Sequence, residues 1–401
     1  MDKLARQVNI HHAVMQGSYF AGFSAIWGFG PVLLLLYWGL SNSALGVVTS
    51  LALLLPLLIQ PVLASLSDAD PRWTSRRLAL GLSLLTLAAA LAIMLLPEQK
   101  TVLLVSYAVI GVTLVCTSPF FNSMVMAYHL RGVNVNYGLG RGTGSATYAI
   151  VALVMGFVLE RRSPTVILPV LLATLALQIV SIWSFRYPLP ELPRTEETAP
   201  PQVLSLSKLL RKYPAFTVLL VGCALLQGGH NACNTYMIHI ADKVGAGEGL
   251  MGVILAVSAF TELPAMALFP RMHRRLSLRT LFRICAATFV LKDLLFWVAR
   301  SPVLLHVAAV IQFFEFGIFL PACVYYVAER LDSANQAKGQ GLIHVCSNGL
   351  GPAVMTAIGG RLIDSAGINT MLMVTTAAGF AGFLVVLAAT SRYLDKGDQG
   401  K

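Results

Sequence analysis

Charge is scarce in this sequence. Asp, Glu, Lys and Arg make up only 12% of its 401 residues, where a water-soluble domain carries about 25%. A chain so poor in charge cannot clothe its core in water, because even a large core needs a charged exterior. Other absences narrow the function. There is no HExxH, no GxSxG and no nucleotide-binding glycine loop, so an intramembrane enzyme would lack the residues its chemistry needs. No cofactor and no metal are expected. No CxxC pair occurs: Cys116, Cys223, Cys233, Cys285, Cys323 and Cys346 all fall in apolar runs, where thiols act as small buried hydrophobes. The opening MDKLARQVNIHH has no signal-peptide cleavage pattern before the first apolar run, so that run is expected to remain as a helix.

What is present is apolar length. Hydrophobic residues are 56% of the chain and mean hydropathy is +0.73. A bilayer crossing takes about 20 apolar residues. Runs of that kind predict spans at about 12–37, 44–66, 78–97, 102–126, 142–160, 164–185, 214–240, 248–269, 280–299, 302–326, 341–363 and 368–390. The expected fold is an all-α polytopic membrane protein of twelve transmembrane helices. The net charge of +11 does not indicate nucleic acid, since the basic residues sit between apolar runs and form no contiguous face. They are sorted by side instead. Of the 29 Lys and Arg, 22 fall on the side of the N-tail and the 2–3, 4–5, 6–7, 8–9 and 10–11 loops, against 6 on the other. This bias places both termini in the cytoplasm. The longest connection, 187–213, is rich in proline and charge and reads as a solvated linker. It divides the chain into 1–186 and 214–401, two expected six-helix bundles. Two such halves around a central cavity is the major facilitator architecture.

Four segments carry a closer resemblance. Loop 2–3, with Asp68, Arg72, Arg76 and Arg77, resembles that superfamily's G-x-x-x-D-[RK]-x-G-[RK] loop, Ala64 replacing the first glycine. It implies a charge-assisted gating latch. Tyr137-Gly138 through Arg141, Gly144, Ser145 and Tyr148 resembles the helix-five signature of the phenylpropionate-permease-like branch, related to the lactose permease and the nucleoside–proton symporters. Leu139 stands where a second arginine is frequent. The glycines of 339–360 resemble that branch's helix eleven, and Leu226-Gln227-Gly228-Gly229-His230 its L-Q-x-x-H. The resemblance spans both halves and implies solute transport by alternating access.

Few charges remain inside the expected spans. The first half keeps Arg141 at the start of helix five. The second keeps Glu262, Lys292, Asp293 and Glu315. A central charge costs about 2.5–3.5 kcal/mol to insert, so these groups must pair or face a wet cavity. One cation against three carboxyls leaves excess acid, and at least one carboxyl is expected to hold a proton at rest. A structural pair, for instance Lys292 with Glu262, is the bland alternative. In the lactose permease the matching helices carry a sugar-coordinating glutamate, an arginine and a proton-carrying glutamate. By that resemblance Glu262 takes the first place, Lys292 the second and Glu315 the third. Gln312 stands where a histidine would precede the proton carrier. Glutamine cannot titrate, and lysine lacks arginine's planar fork. Asp293 is an extra acid whose direction is open, since neighbouring helix positions point about 100° apart.

Softer candidates surround these. Gln227, His230 and Asn234 share one face of helix seven. His344 and Asn348 are one turn apart on helix eleven. Asn122, Arg141, Tyr19 and Trp27 are the candidates in the first half, and amides, imidazoles and aromatic faces suit a hydroxylated or aromatic solute. The expected function is proton-coupled import of a sugar, nucleoside or aromatic acid across the inner membrane. The expected partners are a small-molecule solute, protons and the lipid bilayer, with the chain acting as a monomer. The alternative is a proton-driven antiporter expelling drugs or lipophilic compounds. Such exporters usually place a key acid in the first half, where this chain has none mid-span.

Overall fold

Residues 3–70, 72–190 and 204–392 are described by a computed structural model. The middle of the expected linker, with Arg194, and the tail residues Lys396 and Lys401 lie outside the described residues, as does the side chain of Arg392. Among the described residues every regular element is helical. Lipid offers backbone groups no hydrogen bonds, so a spanning segment must satisfy them within itself. The long helices are α1 (Lys3–Tyr37), α2 (Asn42–Ala69), α3 (Ser75–Leu95), α4 (Lys100–His129), α5 (Tyr137–Leu159), α6 (Pro164–Ser184), α7 (Pro214–Thr235), α8 (Glu248–Arg275), α9 (Leu278–Val298), α10 (Pro302–Arg330), α11 (Ser333–Ala366) and α12 (Ile368–Arg392). Their starts use short polar caps. Ser41 accepts from the Ala44 amide, Thr74 from Arg77, Asn136 from Leu139 and Ser277 from Thr280, each satisfying an amide that no preceding turn can reach.

Eleven of these helices are long and apolar enough to cross a membrane. The exception is α9, because Arg279, Arg283, Lys292 and Asp293 interrupt its apolar run. It nevertheless packs between α10 and α12 as a member of its bundle. Lipid-facing positions are plain in both units: Leu58, Val62, Ile150 and Phe260 are each more than 60% exposed. A protein in water rarely leaves so much apolar surface bare.

The chain forms two compact units, Met1–Glu197 and Thr198–Lys401. In the first, α1 packs on α5 and α6, and α3 on α4. In the second, α7 packs on α11 and α12, and α9 on α12 and α10. Aromatic side chains fill the second unit's core: Phe216, Phe269, Phe282, Phe289, Phe319 and Tyr326 are all buried. The helices are not uniform rods. Ser24–Gly28 and Leu33–Tyr37 of α1, and Val345–Leu350 of α11, are wound as π-helix, a widening often found at functional sites. The spans expected at 214–240 and 302–326 are not continuous helices. The first ends at Thr235, and a separate short helix, Met237–Lys243, follows. The second stops at Ile311 and restarts at Phe316. Pro119, by contrast, leaves α4 unbroken. Small residues let α7 and α11 approach at backbone distance: a Cβ on Gly351 would overlap the Ala224 carbonyl, the close packing on which membrane helix pairs depend.

The described end of the linker is tied to its own unit. In the short helix Leu206–Lys212, Leu209 is buried in the aromatic core. Lys212 pairs with Asp332, the Leu204 amide donates to Asn335 Oδ1 at 2.9 Å, and the Asp332 amide donates to the Tyr213 hydroxyl at 3.1 Å. The hydrogen bond from Lys212 holds the Asp332 carboxyl below its ordinary range, and the same bond raises the Lys212 ammonium. The acid's contribution is present above the ordinary carboxylate range and is lost as pH falls through its lowered value. The base's contribution is present below the ordinary lysine range and is lost as pH rises through its raised value. The tether is therefore intact at neutral pH and opens in acid. Amide protection over 204–212 should fall a few-fold in acid, after correction for chemical exchange, and Lys212→Gln should show that lowered protection already at neutral pH. Because the pair is exposed, salt should weaken it. Unchanged protection in the variant would dismiss the tether.

Candidate functional site

The interruption of α10 places the second unit's polar chemistry. Between Ile311 and Phe316 the backbone tightens to i−3 bonds, with Gln312, Phe313 and Phe314 amides donating to Ala309, Val310 and Ile311. It then widens, with Gly317 donating to Gln312. Glu315 immediately precedes the second half-helix, Phe316–Arg330, where the positive end of the helix dipole favours a carboxylate. Gln312 immediately follows the first half-helix. Gly317 allows α8 to come close: a Cβ there would stand 2.5 Å from the Ala265 Cβ and 3.6 Å from the Glu262 Cα. The break thus brings Gln312 and Glu315 from α10 against Glu262 from α8 and Lys292 from α9.

Side chains from four helices make one continuous chain of contacts. Gln312 Nε2 donates to Glu262 Oε1 at 2.8 Å. Lys292 Nζ donates to Gln312 Oε1 and lies 2.9 Å from Glu315 Oε2. His230 Nδ1 meets the other oxygen, Glu315 Oε1, at 2.8 Å. Asn234 Nδ2 donates to His230 Nε2 at 2.9 Å, which leaves Nδ1 as the nitrogen that carries hydrogen toward Glu315. Glu315 is 0% exposed, Lys292 2% and Gln312 3%; Glu262 and Asn234 are half-buried. The aromatic frame is tight. Phe316 stacks on the His230 ring, with centroids 5.7 Å apart, Phe289 meets it edge-on, and Phe296 lies under the Lys292 ammonium. In so dry a setting a Glu315 carboxylate is tolerable only because both its oxygens are engaged.

The bland reading joins Lys292 to Glu262, and the structure links them through Gln312. Lys292 pairs directly with Glu315. Gln227, one turn before His230, is buried with its Nε2 unpartnered. His344 and Asn348 hydrogen-bond each other at 3.2 Å, and both are exposed. Asp293 turns away from Lys292 and meets Cys233 of α7, whose Sγ is 3.7 Å from Asp293 Oδ1. Five of the six cysteines are buried; Cys346 is half-buried.

In the first unit the candidates fall on α1, α4 and α5. Gln16 Nε2 donates to Asn122 Oδ1 at 3.2 Å and lies 3.2 Å from His12 Nε2. The Arg141 guanidinium covers the Phe20 ring at 4.4 Å, worth about 0.5–2 kcal/mol as a cation–π contact. The Tyr19 hydroxyl donates to the Leu114 carbonyl at 3.1 Å, and Trp27 stacks on Phe23. His12 and Gln16, fully buried, were not singled out from sequence. Their spacing with Phe20, four residues apart along α1, was the available signal. In the 2–3 loop Asp68 is exposed. Arg76 reaches the Trp183 carbonyl and Arg77 the Arg72 carbonyl, while Asp70 accepts from the Arg72 amide.

Comparison with known proteins agrees with this architecture. The family model described as MFS_1 like matches residues 12–374. The Bacillus subtilis (strain 168) transporter YwbF is 23% identical over 98% of this chain and 96% of its own. The maltose permease of Geobacillus stearothermophilus is 25% identical over 90% and 89%. The crystal structure of the nucleoside transporter NupG shares the fold, with a TM-score of 0.78 at 14% identity over 96% of this chain and 99% of that one. This twelve-helix chain is a membrane transporter and belongs to the MFS_1-like family of the major facilitator type.

Proposed function

We propose that the chain is a proton-coupled symporter that imports a small polar solute by alternating access. The observation that carries this reading is the unbroken line Glu262–Gln312–Lys292–Glu315–His230–Asn234. Glu315 is the proton carrier in this proposal. Lys292 compensates its charge when it is ionised and His230 donates a hydrogen bond to it, so its proton can leave without stranding a bare carboxylate in the membrane. Gln312, unable to titrate, transmits the state of Lys292 to Glu262, whose half-exposed carboxyl binds the solute. Gln227, Asn234, Asn122, Arg141, Tyr19, Trp27, His344 and Asn348 supply further contacts. Asp68, Arg72, Arg76 and Arg77 act at the gate. The bundles 1–186 and 214–401, joined by 187–213, move against each other, with both termini cytoplasmic in the inner membrane and the monomer as the working unit. The amides and aromatic faces suit a sugar or a nucleoside, and the relatives named for maltose and nucleoside transport support that class.

Proteoliposomes under an inwardly directed proton gradient test the proposal, with radiolabelled maltose and uridine as probes. Accumulation above equilibrium that collapses on adding a protonophore is the expected result. In a thermal-shift screen of the purified protein at two pH values, the accumulated solute should be the one that stabilises. Stabilisation by hydrophobic cations alone, or accumulation indifferent to the protonophore, overturns the reading.

A further inference from the structure

Asp293 is next to Lys292 in sequence but belongs to a different environment. Lys292 points to α10. Asp293 points into the seam where α9 meets α7 and α12, and it is 1% exposed. Its Oδ1 receives the Cys233 thiol, whose sulfur also lies 3.8 Å from Thr375 Oγ1. Its Oδ2 is buried with no hydrogen-bond partner. Two glycines make room for that oxygen. A Cβ on Gly229 of α7 would stand 2.8 Å from Oδ2, and one on Gly379 of α12 would stand 3.3 Å from it. The carbonyl of Thr375 lies on the same side, 3.3 Å from that Gly229 position.

Among the described residues no cation forms an ion pair with this carboxyl, and the Lys292 ammonium reaches it only through space. On α9 itself Lys292 is engaged with Gln312 and Glu315. From α7 come the Cys233 thiol and His230, and the imidazole is held between Glu315 and Asn234. From α10 comes Glu315, an acid like itself. The α12 helix offers Thr375 and Gly379 and carries no ionisable residue before Arg392. A bare carboxylate in a closed apolar seam is among the costliest groups a membrane protein can hold, whereas the neutral acid loses at most a hydrogen bond. The two glycines line Oδ2 where a larger side chain would crowd it.

We propose that Asp293 is a second proton-binding site of the C-terminal unit, separate from the Glu315 relay, holding its proton in a slot between α7 and α12 that is closed in this conformation. The proton is released only when α7 and α12 part and water reaches Oδ2. The use of this proton in coupling rests on the symport reading; its presence does not.

Infrared spectroscopy of the full-length protein in liposomes tests the site directly. The spectrum of wild type minus Asp293→Asn should show a positive C=O stretch of a protonated carboxyl, above the amide I region, from mildly acidic to mildly alkaline buffer. Its shift in heavy water should be slow, since the slot is closed. Glu315→Gln should retain the same band. If Asp293→Asn fails to fold, Cys233→Ala is the second variant: loss of the thiol donor should move the band to higher frequency. A flat difference spectrum, a band lost on reaching neutral pH, or one abolished when sodium replaces choline at fixed pH overturns the proposal, the last by making the site a cation site. The band surviving while proton-driven uptake fails would refute the symport reading alone. The reverse outcome would refute this site alone.

Discussion

Glu315→Gln is expected to abolish uphill accumulation of the solute while leaving exchange down a solute gradient intact. The side chains have the same shape, and the amide oxygen can still accept a hydrogen bond, so the aromatic frame around His230 stays filled. The substitution removes the group's ability to take up and release a proton. A transporter whose carrier cannot ionise still reorients with solute bound, because Gln312 Oε1 and the new amide oxygen continue to accept from the Lys292 ammonium. Counterflow in proteoliposomes should run within a few-fold of wild type, and accumulation driven by the proton gradient should fall to the equilibrium level. If accumulation survives, Glu315 is not the carrier, and Glu262 becomes the next acid to examine.

The largest effect on stability is expected from Lys292→Met. Methionine fills much of the lysine's volume, so the loss is chiefly electrostatic. Glu315 would keep only a neutral imidazole on one oxygen, and Gln312 Oε1 would lose its donor. Breaking a buried pair by removing one partner costs about 3–5 kcal/mol. The thermal unfolding midpoint in detergent should fall accordingly. The double variant Lys292→Met with Glu315→Gln should regain most of it, because no unpaired charge is left behind. A double variant as unstable as the two single losses added together would show that the pair is not the source of the effect.

The two predictions depend on different levels of information. That Glu262, Lys292, Asp293 and Glu315 lie inside the membrane is legible in the sequence, because a charge in a 20-residue apolar run stands out whatever surrounds it. Their partners are not legible. Lys292 is one turn-length choice away from either Glu262 or Glu315, and a sequence carries no record of helix rotation about its axis. The interruption of α10 was also invisible to hydropathy: Ile311-Gln312-Phe313-Phe314-Glu315 reads as an ordinary amphipathic turn. Pro321 marks a weak point in that helix, but the break lies N-terminal to it, at the position where Gly317 lets α8 approach.

The first unit teaches the same lesson in reverse. His12 and Gln16 are buried polar groups on α1, yet they stand close to a polar N-terminal tail and therefore look like part of it. Only the passage of α5 across α1 shows otherwise, since Gly140 and Gly144 lie directly against His12 and Phe20.

Sequence alone determined the class of this protein: its solvent, its apolar crossings, the basic bias of alternate loops and the uneven division of membrane charge between its halves. These are local or compositional properties, decided by the free energy of placing each segment in lipid. Tertiary structure decided which acid meets the lysine, where α10 opens, and why Asp293 stands apart from its neighbour. Those depend on how helices turn toward one another and how closely glycine lets them pack. The scarcity of charge thus identifies a membrane protein, and the few charges that remain acquire their roles only from the company the fold gives them.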